Sequence, residues 1–169
     1  MTKIKFIKNS ELKNFGVETF SFSSIEKIRI PPHVKKIESG CFSQCFELKK
    51  IKFDKNSELD LIEKNAFKNS ALISISFPVH LKKIEEYALS NCVNLCSVEF
   101  LSDDVYIESF CFNKCESLKI VAFPNSKKIT MNFSAIRSVS SDFVLLIQSM
   151  ASVQEKSCHC LFQLDFESQ

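Results

Sequence analysis

The chain has 169 residues, of which 45% are hydrophobic and 25% are charged, and its formal net charge is +2. These values allow one globular domain with a real core, and they give no electrostatic reason to expect a nucleic-acid partner. Its two glycines are too few for a glycine-rich phosphate loop. No apolar stretch approaches the ~20 residues of a membrane span. The start MTKIKFIKNS lacks the apolar run of a secretory signal, so the cytoplasm is the default compartment.

A repeat of about 23 residues runs from the first residues to about residue 130. Each unit closes with Phe or Ile, at spacings of 24, 23, 24, 23 and 23: Phe6, Ile30, Phe53, Phe77, Phe100 and Phe123. The segment KNSEL occurs at Lys8–Leu12 and again at Lys55–Leu59, 47 residues apart. Five to six such units, stacked side by side, form a solenoid with a shared core.

Within one unit, the closing segment predicts a β-strand. Ile51 and Phe53 alternate with exposed positions, which is the period of a half-buried strand. Stacked units place these strands in a parallel sheet, and Pro31, Pro78 and Pro124 follow three of them, because proline removes a ladder donor. A second short extended piece follows, as in residues 33–37 and 80–84.

The remaining part of each unit predicts a short helical turn on the opposite wall. Glu38–Cys45 and Glu63–Ser70 both place apolar residues at one-turn spacing. The expected fold class is therefore an α/β repeat, with a parallel sheet face and helical turns opposite it.

The C-terminal part departs from the pattern, which divides the chain into repeats at 1–133 and a capping segment or tail at 134–169. Ser140–Met150 predicts a capping helix with Ser or Asp at its start. Phe162, Leu164 and Phe166 alternate as a strand would. The first unit enters at its strand half, so we expect either a partner over that layer or a longer array.

The order Ile, Phe, Cys, Leu, Ile, Phe and Pro resembles the BspA-type leucine-rich repeat. It is clearest in Ile37–Phe53, Ile62–Ile84, Ile84–Phe100 and Ile107–Pro124. The resemblance implies a right-handed solenoid of parallel strands and a protein-interaction role. It also implies a relation to surface antigens that bind host matrix proteins, which places adhesion and the cell surface among the expectations.

Eight cysteines raise the question of a metal or a disulfide. Cys45, Cys92 and Cys115 hold one repeat position, which favours buried thiols in a stacked column. Cys96 matches lysines in other units and is expected to be exposed. Cys158-His159-Cys160 offers too few ligands for a zinc site. No catalytic triad or paired carboxylates stand out, so we predict neither an enzyme nor a metal or cofactor.

The outward positions of the closing strands give the candidate binding face: Lys27, Arg29, Lys50, Lys52, Ser74, Ser76, Ser97 and Glu99. The first four of these residues are basic and favour an acidic protein partner. The alternative interpretation is an ordinary solvated surface, on which lysine is common. A second lysine column, at Lys35/Lys36, Lys82/Lys83 and Lys127/Lys128, is less continuous. Aromatic residues interleave with neither, which argues against nucleic acid. The alternative function is a structural segment of a longer array, or a solenoid that self-associates through its first layer.

Overall fold

The computed structural model describes residues 2–7, 10–125, 127–136, 138–147 and 161–165. In chain order its strands are β1 (Thr2–Lys3), β2 (Asn14–Phe15), β3 (Ile25–Ile30), β4 (Lys36–Ile37), β5 (Lys50–Phe53), β6 (Leu61–Ile62), β7 (Ser74–Phe77), β8 (Lys83–Ile84), β9 (Ser97–Phe100), β10 (Asp104–Ile107), β11 (Ile120–Phe123), β12 (Lys128–Asn132), β13 (Val144–Ile147) and β14 (Leu161–Asp165). A short 3₁₀-helix spans Phe133–Ile136. The strands β3, β5, β7, β9 and β11 end at the residues that close their repeat units, which confirms the predicted strand positions.

Two walls of the molecule are built from strands, and all pairs between the described strands are parallel. The even-numbered strands follow one another from β2 to β14 in one continuous sheet, here called the second sheet. The odd-numbered strands form the strand face, which consists of two separate sheets, β1-β3-β5 and β7-β9-β11-β13. The chain is therefore a parallel-strand solenoid, as the repeat predicts.

The core is made of columns of equivalent side chains, one from each unit. Phe42, Phe67, Leu89 and Phe112 occupy one column and are fully buried. The rings of Phe42 and Phe67 stack with their centroids 5.5 Å apart and their planes 10° from parallel. Every layer thus buries the apolar side of its neighbours, which is why a single unit would not fold alone.

The third wall, here called the turn wall, corrects one prediction. Neither Glu38–Cys45 nor Glu63–Ser70 is helical; both consist of consecutive turns. In the first of them, Gly40 and Gln44 have φ values of 62° and 57°. A right-handed helix does not accommodate such left-handed residues at four-residue intervals, so the one-turn spacing of apolar residues arises from successive β-turns.

Hydrogen bonds across the layers hold these turns in place. The amide of Gly40 donates to the carbonyl of Lys64 at 3.0 Å, and that of Phe42 donates to Ala66 at 2.7 Å. Between them, the amide of Cys41 closes a local turn on Glu38. Every second amide therefore donates to a carbonyl of the next unit, instead of to a carbonyl of its own segment as in the predicted helix.

The predicted capping helix over Ser140–Met150 is also wrong where the structure describes it. Val144–Ile147 forms β13, which pairs in parallel with β11 and extends the strand face by one layer. The apolar run that suggested a helix forms a strand because β11 offers it a strand edge to pair with. β14 confirms the predicted strand at Phe162 and Leu164, whereas Phe166 and residues 148–150 lie outside the described residues. The boundary between repeats and cap at residue 133 stays a prediction.

Candidate functional site

The basic part of the predicted binding face lies on β3 and β5. Lys27 is in register with Lys50, and Arg29 is in register with Lys52, so the four cations, here called the basic block, occupy adjacent positions. All four are exposed. Arg29 lies 3.8 Å from a carboxylate oxygen of Asp54, which the sequence did not suggest as a counter-ion. Among the described residues, the three lysines have no carboxylate within ion-pair distance, so the block leaves a positive surface.

The row of cations continues into the first layer. Lys3 in β1 is in register with Lys27, which places positions 3, 27 and 50 in one line across the sheet. Sequence reasoning missed Lys3 and Lys5, although both alternate with Ile4 in the strand half of the first unit. The signal was present in the repeat and would have extended the predicted site by one unit.

The polar part of the predicted face lies on β7 and β9. Ser74 is in register with Ser97, and Ser76 with Glu99. The hydroxyl of Ser76 donates a 2.6 Å hydrogen bond to the Glu99 carboxylate. The two serines of β7 are exposed, whereas Ser97 and Glu99 are half-buried. The structure thus divides the eight predicted residues into two blocks on two separate sheets.

A groove separates these two blocks. It has a volume of about 380 Å³ and is lined by Lys50, Lys52, Ser74, Ser76, Val79 and Leu101, among others. We call it the central groove. Among the described strands of this face, β5 and β7 are the neighbours in chain order that do not pair, and the groove lies between them.

Side-chain packing shows the same opening. The rings of Phe53 and Phe77 are 6.0 Å apart and tilted by 40°. The next pairs in that column, Phe77 with Phe100 and Phe100 with Phe123, are 5.1 and 4.9 Å apart. Phe53 is half-buried, whereas Ile30 and the three later closing residues are fully buried.

Backbone bonds at the start of the strands also lengthen at this layer. The four equivalent N–H to carbonyl distances are 3.0 Å (Lys49 to Glu26), 3.5 Å (Ile73 to Lys49), 2.8 Å (Cys96 to Ile73) and 2.9 Å (Lys119 to Cys96). The longest of them spans β5 and β7. On the turn wall the same two layers remain closely bonded, so the molecule opens on its strand face alone.

The repeat itself explains where the opening occurs. From Phe53 to Ile62 the chain takes nine steps, whereas the equivalent loop from Ile30 to Ile37 takes seven. The path from Ser70 to Leu72 takes two steps instead of the three in Cys45–Leu48. A longer loop and a shorter approach to β7 change how this unit lies on its neighbour.

The first unit also has a long loop and a short approach to the next strand, and a second groove lies beside it. Its loop from Phe6 to Phe15 spans nine positions, the path from Ser23 to Ile25 spans two, and both long loops contain KNSEL. The pairing of β1 with β3 is irregular between Thr2 and Lys3. Beside it lies a groove of about 710 Å³ lined by residues that include Lys5, Phe6, Arg29 and Pro31. We call it the first-layer groove.

Three of the six lysines in the second column form ion pairs with other described residues. Lys35 lies 3.9 Å from Glu58, Lys83 lies 2.7 Å from Glu108, and Lys127 lies 3.3 Å from Asp103; these are its ion pairs in the described part of the chain, together with a 3.6 Å contact from Lys83 to Glu85. The hydrogen bond that Lys83 donates to Glu108 is the main cause that raises the pKa of Lys83. Each pair of neighbouring lysines in this column thus has one lysine in contact with a carboxylate.

The repeated histidines lie beside this column. Nδ1 of His33 is 2.8 Å from Oε1 of Glu58, and this hydrogen bond is the main cause that lowers the pKa of Glu58. His80 adds a smaller electrostatic contribution to the same carboxylate. Both histidines thus interact with the same surface carboxylate, Glu58.

The column of Cys45, Cys92 and Cys115 is buried, as predicted. Each thiol donates to a backbone carbonyl of the preceding unit, at 3.0 to 3.2 Å. Burial is the main cause that raises the pKa of all three, and it brings the pKa of Cys92 to about 11. These thiols are therefore protonated packing groups and poor nucleophiles.

Cys96 is exposed, which confirms its predicted difference from the buried column. In the described part of the chain, no group of three or more His, Cys, Asp or Glu side chains is arranged to hold a metal ion. Cys158-His159-Cys160 lies outside the described residues. Nor does any helix in the part that the structure describes have the length and apolar character to cross a bilayer.

Comparison with known proteins gives a consistent picture. The family model of the BspA type leucine rich repeat region matches residues 52–159 in six copies. The crystal structure of a leucine rich repeat protein of T. pallidum is similar at a TM-score of 0.68 and 23% identity, and covers 85% of this chain. A leucine-rich repeat protein from Bacteroides ovatus is similar at a TM-score of 0.51 and 19% identity, over 86% of this chain. The chain spans 66% and 52% of those two proteins. A search of curated proteins gives no match.

Proposed function

The chain belongs to the BspA type leucine-rich repeat family, and we propose that it is a non-enzymatic scaffold that binds an acidic protein partner through the basic block. The observation that carries the proposal is the register of Lys27 with Lys50 and of Arg29 with Lys52. Neighbouring strands in a sheet lie ~4.8 Å apart, so like charges crowd one small area. Salt screens such repulsion only beyond ~8–10 Å.

A cluster of carboxylates on a partner would relieve this repulsion and speed association. Ser74, Ser76, Ser97 and Glu99 complete the proposed surface on the far side of the central groove. The hydroxyls of β7 offer neutral hydrogen bonds there, and Glu99 discriminates against an acidic group at that edge. The partner's carboxylates are therefore expected above β3 and β5.

Two finer roles extend this proposal. Adhesion and a surface-antigen role, with a cell-surface location, follow from the family resemblance. Self-association through the first layer follows from exposed apolar side chains there: Ile7 is 81% exposed, and Ile4 and Phe6 are half-buried beside it. Light scattering tests it, since Ile7→Lys should convert a concentration-dependent dimer to a monomer.

The main proposal is tested with labelled polyglutamate as the probe, by fluorescence anisotropy across a salt series. The double variant Lys50→Glu/Lys52→Glu should weaken binding by about tenfold or more and flatten its salt dependence, because two steering charges are reversed. The matched control is Lys13→Glu/Lys114→Glu, which changes the net charge equally at exposed positions away from the strand face. Equal losses in both double variants would show a net-charge effect and remove the basic block as the site.

A further inference from the structure

The central groove and the first-layer groove are repeats of one feature. Corresponding lining residues are 47 positions apart, as in Lys5 and Lys52, Phe6 and Phe53, and Pro31 and Pro78. Each groove lies where a unit with the KNSEL loop meets the next unit. The paired irregularity therefore produces two similar grooves on one face, two layers apart.

The chemistry of both grooves combines an apolar part with cations. Phe6 and Phe53 are half-buried, so each groove exposes part of an aromatic ring. Across the two linings there are five Lys or Arg side chains: Lys5, Arg29, Lys50, Lys52 and Lys55. The acidic side chains there are two, Glu11 and Asp54. An occupant that suits both grooves is acidic and carries apolar side chains at a fixed interval.

The interval follows from the stacking. Two layers of parallel strands are separated by about 10 Å, since each layer adds ~4.8 Å. In a β-strand, side chains on one face recur at roughly 6.7 Å or twice that distance, which fits poorly. In a polyproline II segment every third residue returns to the same face after about 9.3 Å.

We propose that the two grooves form one bivalent site for an extended acidic segment in the polyproline II conformation, with an apolar side chain in each groove. The segment lies across the strands, along the solenoid axis, and its carboxylates face the basic block. This inference rests on the proposed function and specifies the partner's chemistry. Occupying two grooves with one segment makes the second contact intramolecular, so affinity rises without a larger contact in either groove.

The test uses labelled synthetic peptides rich in Glu and Pro and compares their affinities by anisotropy. The peptide with two leucines three residues apart should bind about tenfold or more tightly than a peptide with one leucine. A peptide with its two leucines five residues apart should bind like the single-leucine peptide, because the second anchor cannot reach its groove.

A matched pair of variants locates the binding. Val79 lines the central groove and is 48% exposed, and Val93 lies on the turn wall and is 42% exposed. Val79→Glu should reduce the affinity of the two-leucine peptide to that of the single-leucine peptide, whereas Val93→Glu should leave it unchanged. Both positions face solvent, so both variants are expected to fold, and circular dichroism checks this.

The outcomes separate this inference from the function on which it rests. If the peptides bind and Lys50→Glu/Lys52→Glu abolishes binding, but leucine spacing and Val79→Glu have no effect, the grooves are not anchoring sites and the basic block remains the site. If the two-leucine peptides gain affinity equally at the three-residue and the five-residue spacing, the polyproline II geometry is wrong. If neither these peptides nor polyglutamate bind, both proposals are wrong.

Discussion

The turn wall and the strand face of this solenoid are built from the same units, yet they tolerate irregularity differently. Between the unit that closes at Phe53 and the unit that closes at Phe77, the turn wall keeps its inter-layer bonds, with the amide of Phe42 2.7 Å from the carbonyl of Ala66. On the strand face the same two units do not pair, and the rings of Phe53 and Phe77 separate to 6.0 Å.

The difference shows that the turn wall fixes how neighbouring units stack. The turns are fixed by local bonds within the unit and by bonds to the next unit, so they have little freedom to shift. The strand face is held mainly by its ladder, and a change in loop length before or after a strand moves that ladder. A binding surface can therefore vary on the strand face while the turn wall and its core column preserve the fold.

The largest expected effect tests this division in the core. Phe67→Ala, on the turn-wall side, should lower the free energy of unfolding by about 3–5 kcal/mol, because a fully buried ring loses contacts in two layers. Phe53→Ala should cost less, by at least ~1 kcal/mol, because its ring is already half-exposed at the central groove. Urea denaturation followed by circular dichroism measures both.

Leu89→Ala serves as the internal standard, since Leu89 occupies the column of Phe67 one unit later and is also fully buried. Its expected cost is about 2–5 kcal/mol. Equal costs for Phe67→Ala and Phe53→Ala would contradict the contrast between the two walls.

Much of the fold was predictable because each unit repeats its landmarks. The strand ends at Ile30, Phe53 and Phe77 and the buried column of Cys45 followed directly from register. The turn wall was misassigned because apolar residues four apart suit a helix and a series of β-turns equally well. The residues that decide between them include Gln44, whose left-handed φ is imposed by bonds to the next unit and has no sequence signal of its own.

The candidate site was predicted only in part, for a similar reason. Alternation within a strand identifies Lys50 and Lys52 as outward-facing, and register places Lys27 beside Lys50. The grooves depend on loop lengths that differ by one or two residues, and their effect on pairing is a property of three-dimensional stacking. The recurrence of KNSEL after 47 residues was the available clue. It indicated a longer repeat, but it did not indicate that this repeat produces two grooves.

The next effect probes the turn wall through its thiols. Burial raises the pKa of Cys92 from 9.0 to about 11, and that of Cys41 to about 12. Between pH 9 and 11 the unfolded chain loses thiol protons that the folded chain keeps, so stability that is complete below pH 9 declines as the pH rises. The share of Cys92 should be on the order of 2 kcal/mol at pH 11.

Cys92→Ser isolates that share, because serine already occupies the same repeat position at Ser23 and Ser70. Lysines and tyrosines titrate in both proteins, so the comparison is between the two pH profiles of thermal unfolding. The stability difference between wild type and Cys92→Ser should shrink above pH 9. A constant difference from pH 8 to pH 11 would mean that the Cys92 thiol is not held protonated.

A smaller, local effect sharpens the contrast within the strand face. Amides of β7 that point toward β5 have no strand partner, whereas those of β9 lie between two paired strands. Native-state hydrogen exchange should therefore find the fastest-exchanging amide of Ser74–Phe77 at least ~1 kcal/mol less protected than the fastest-exchanging amide of Ser97–Phe100. Uniform protection across β7 and β9 would show that β5 and β7 pair in solution and that the central groove is closed.

The smallest expected effect concerns the basic block, which should serve binding and not the fold. Lys50 and Lys52 are exposed on β5, and no carboxylate of the described residues pairs with either, so reversing their charge breaks no contact of the fold. Lys50→Glu/Lys52→Glu should change the free energy of unfolding by no more than about 0.5 kcal/mol per substitution, the range of ordinary surface changes. A slight gain in the free energy of unfolding is expected at low salt, because Lys50 lies beside Lys27 and Lys52 beside Arg29, and the reversal replaces two repulsive pairs with two attractive ones.

The measurement is urea denaturation of both proteins at low and high salt, and the gain should disappear at high salt as screening increases. A loss of more than ~1 kcal/mol at either salt concentration would assign these lysines to the fold, and a weaker interaction with polyglutamate would then no longer identify a binding surface.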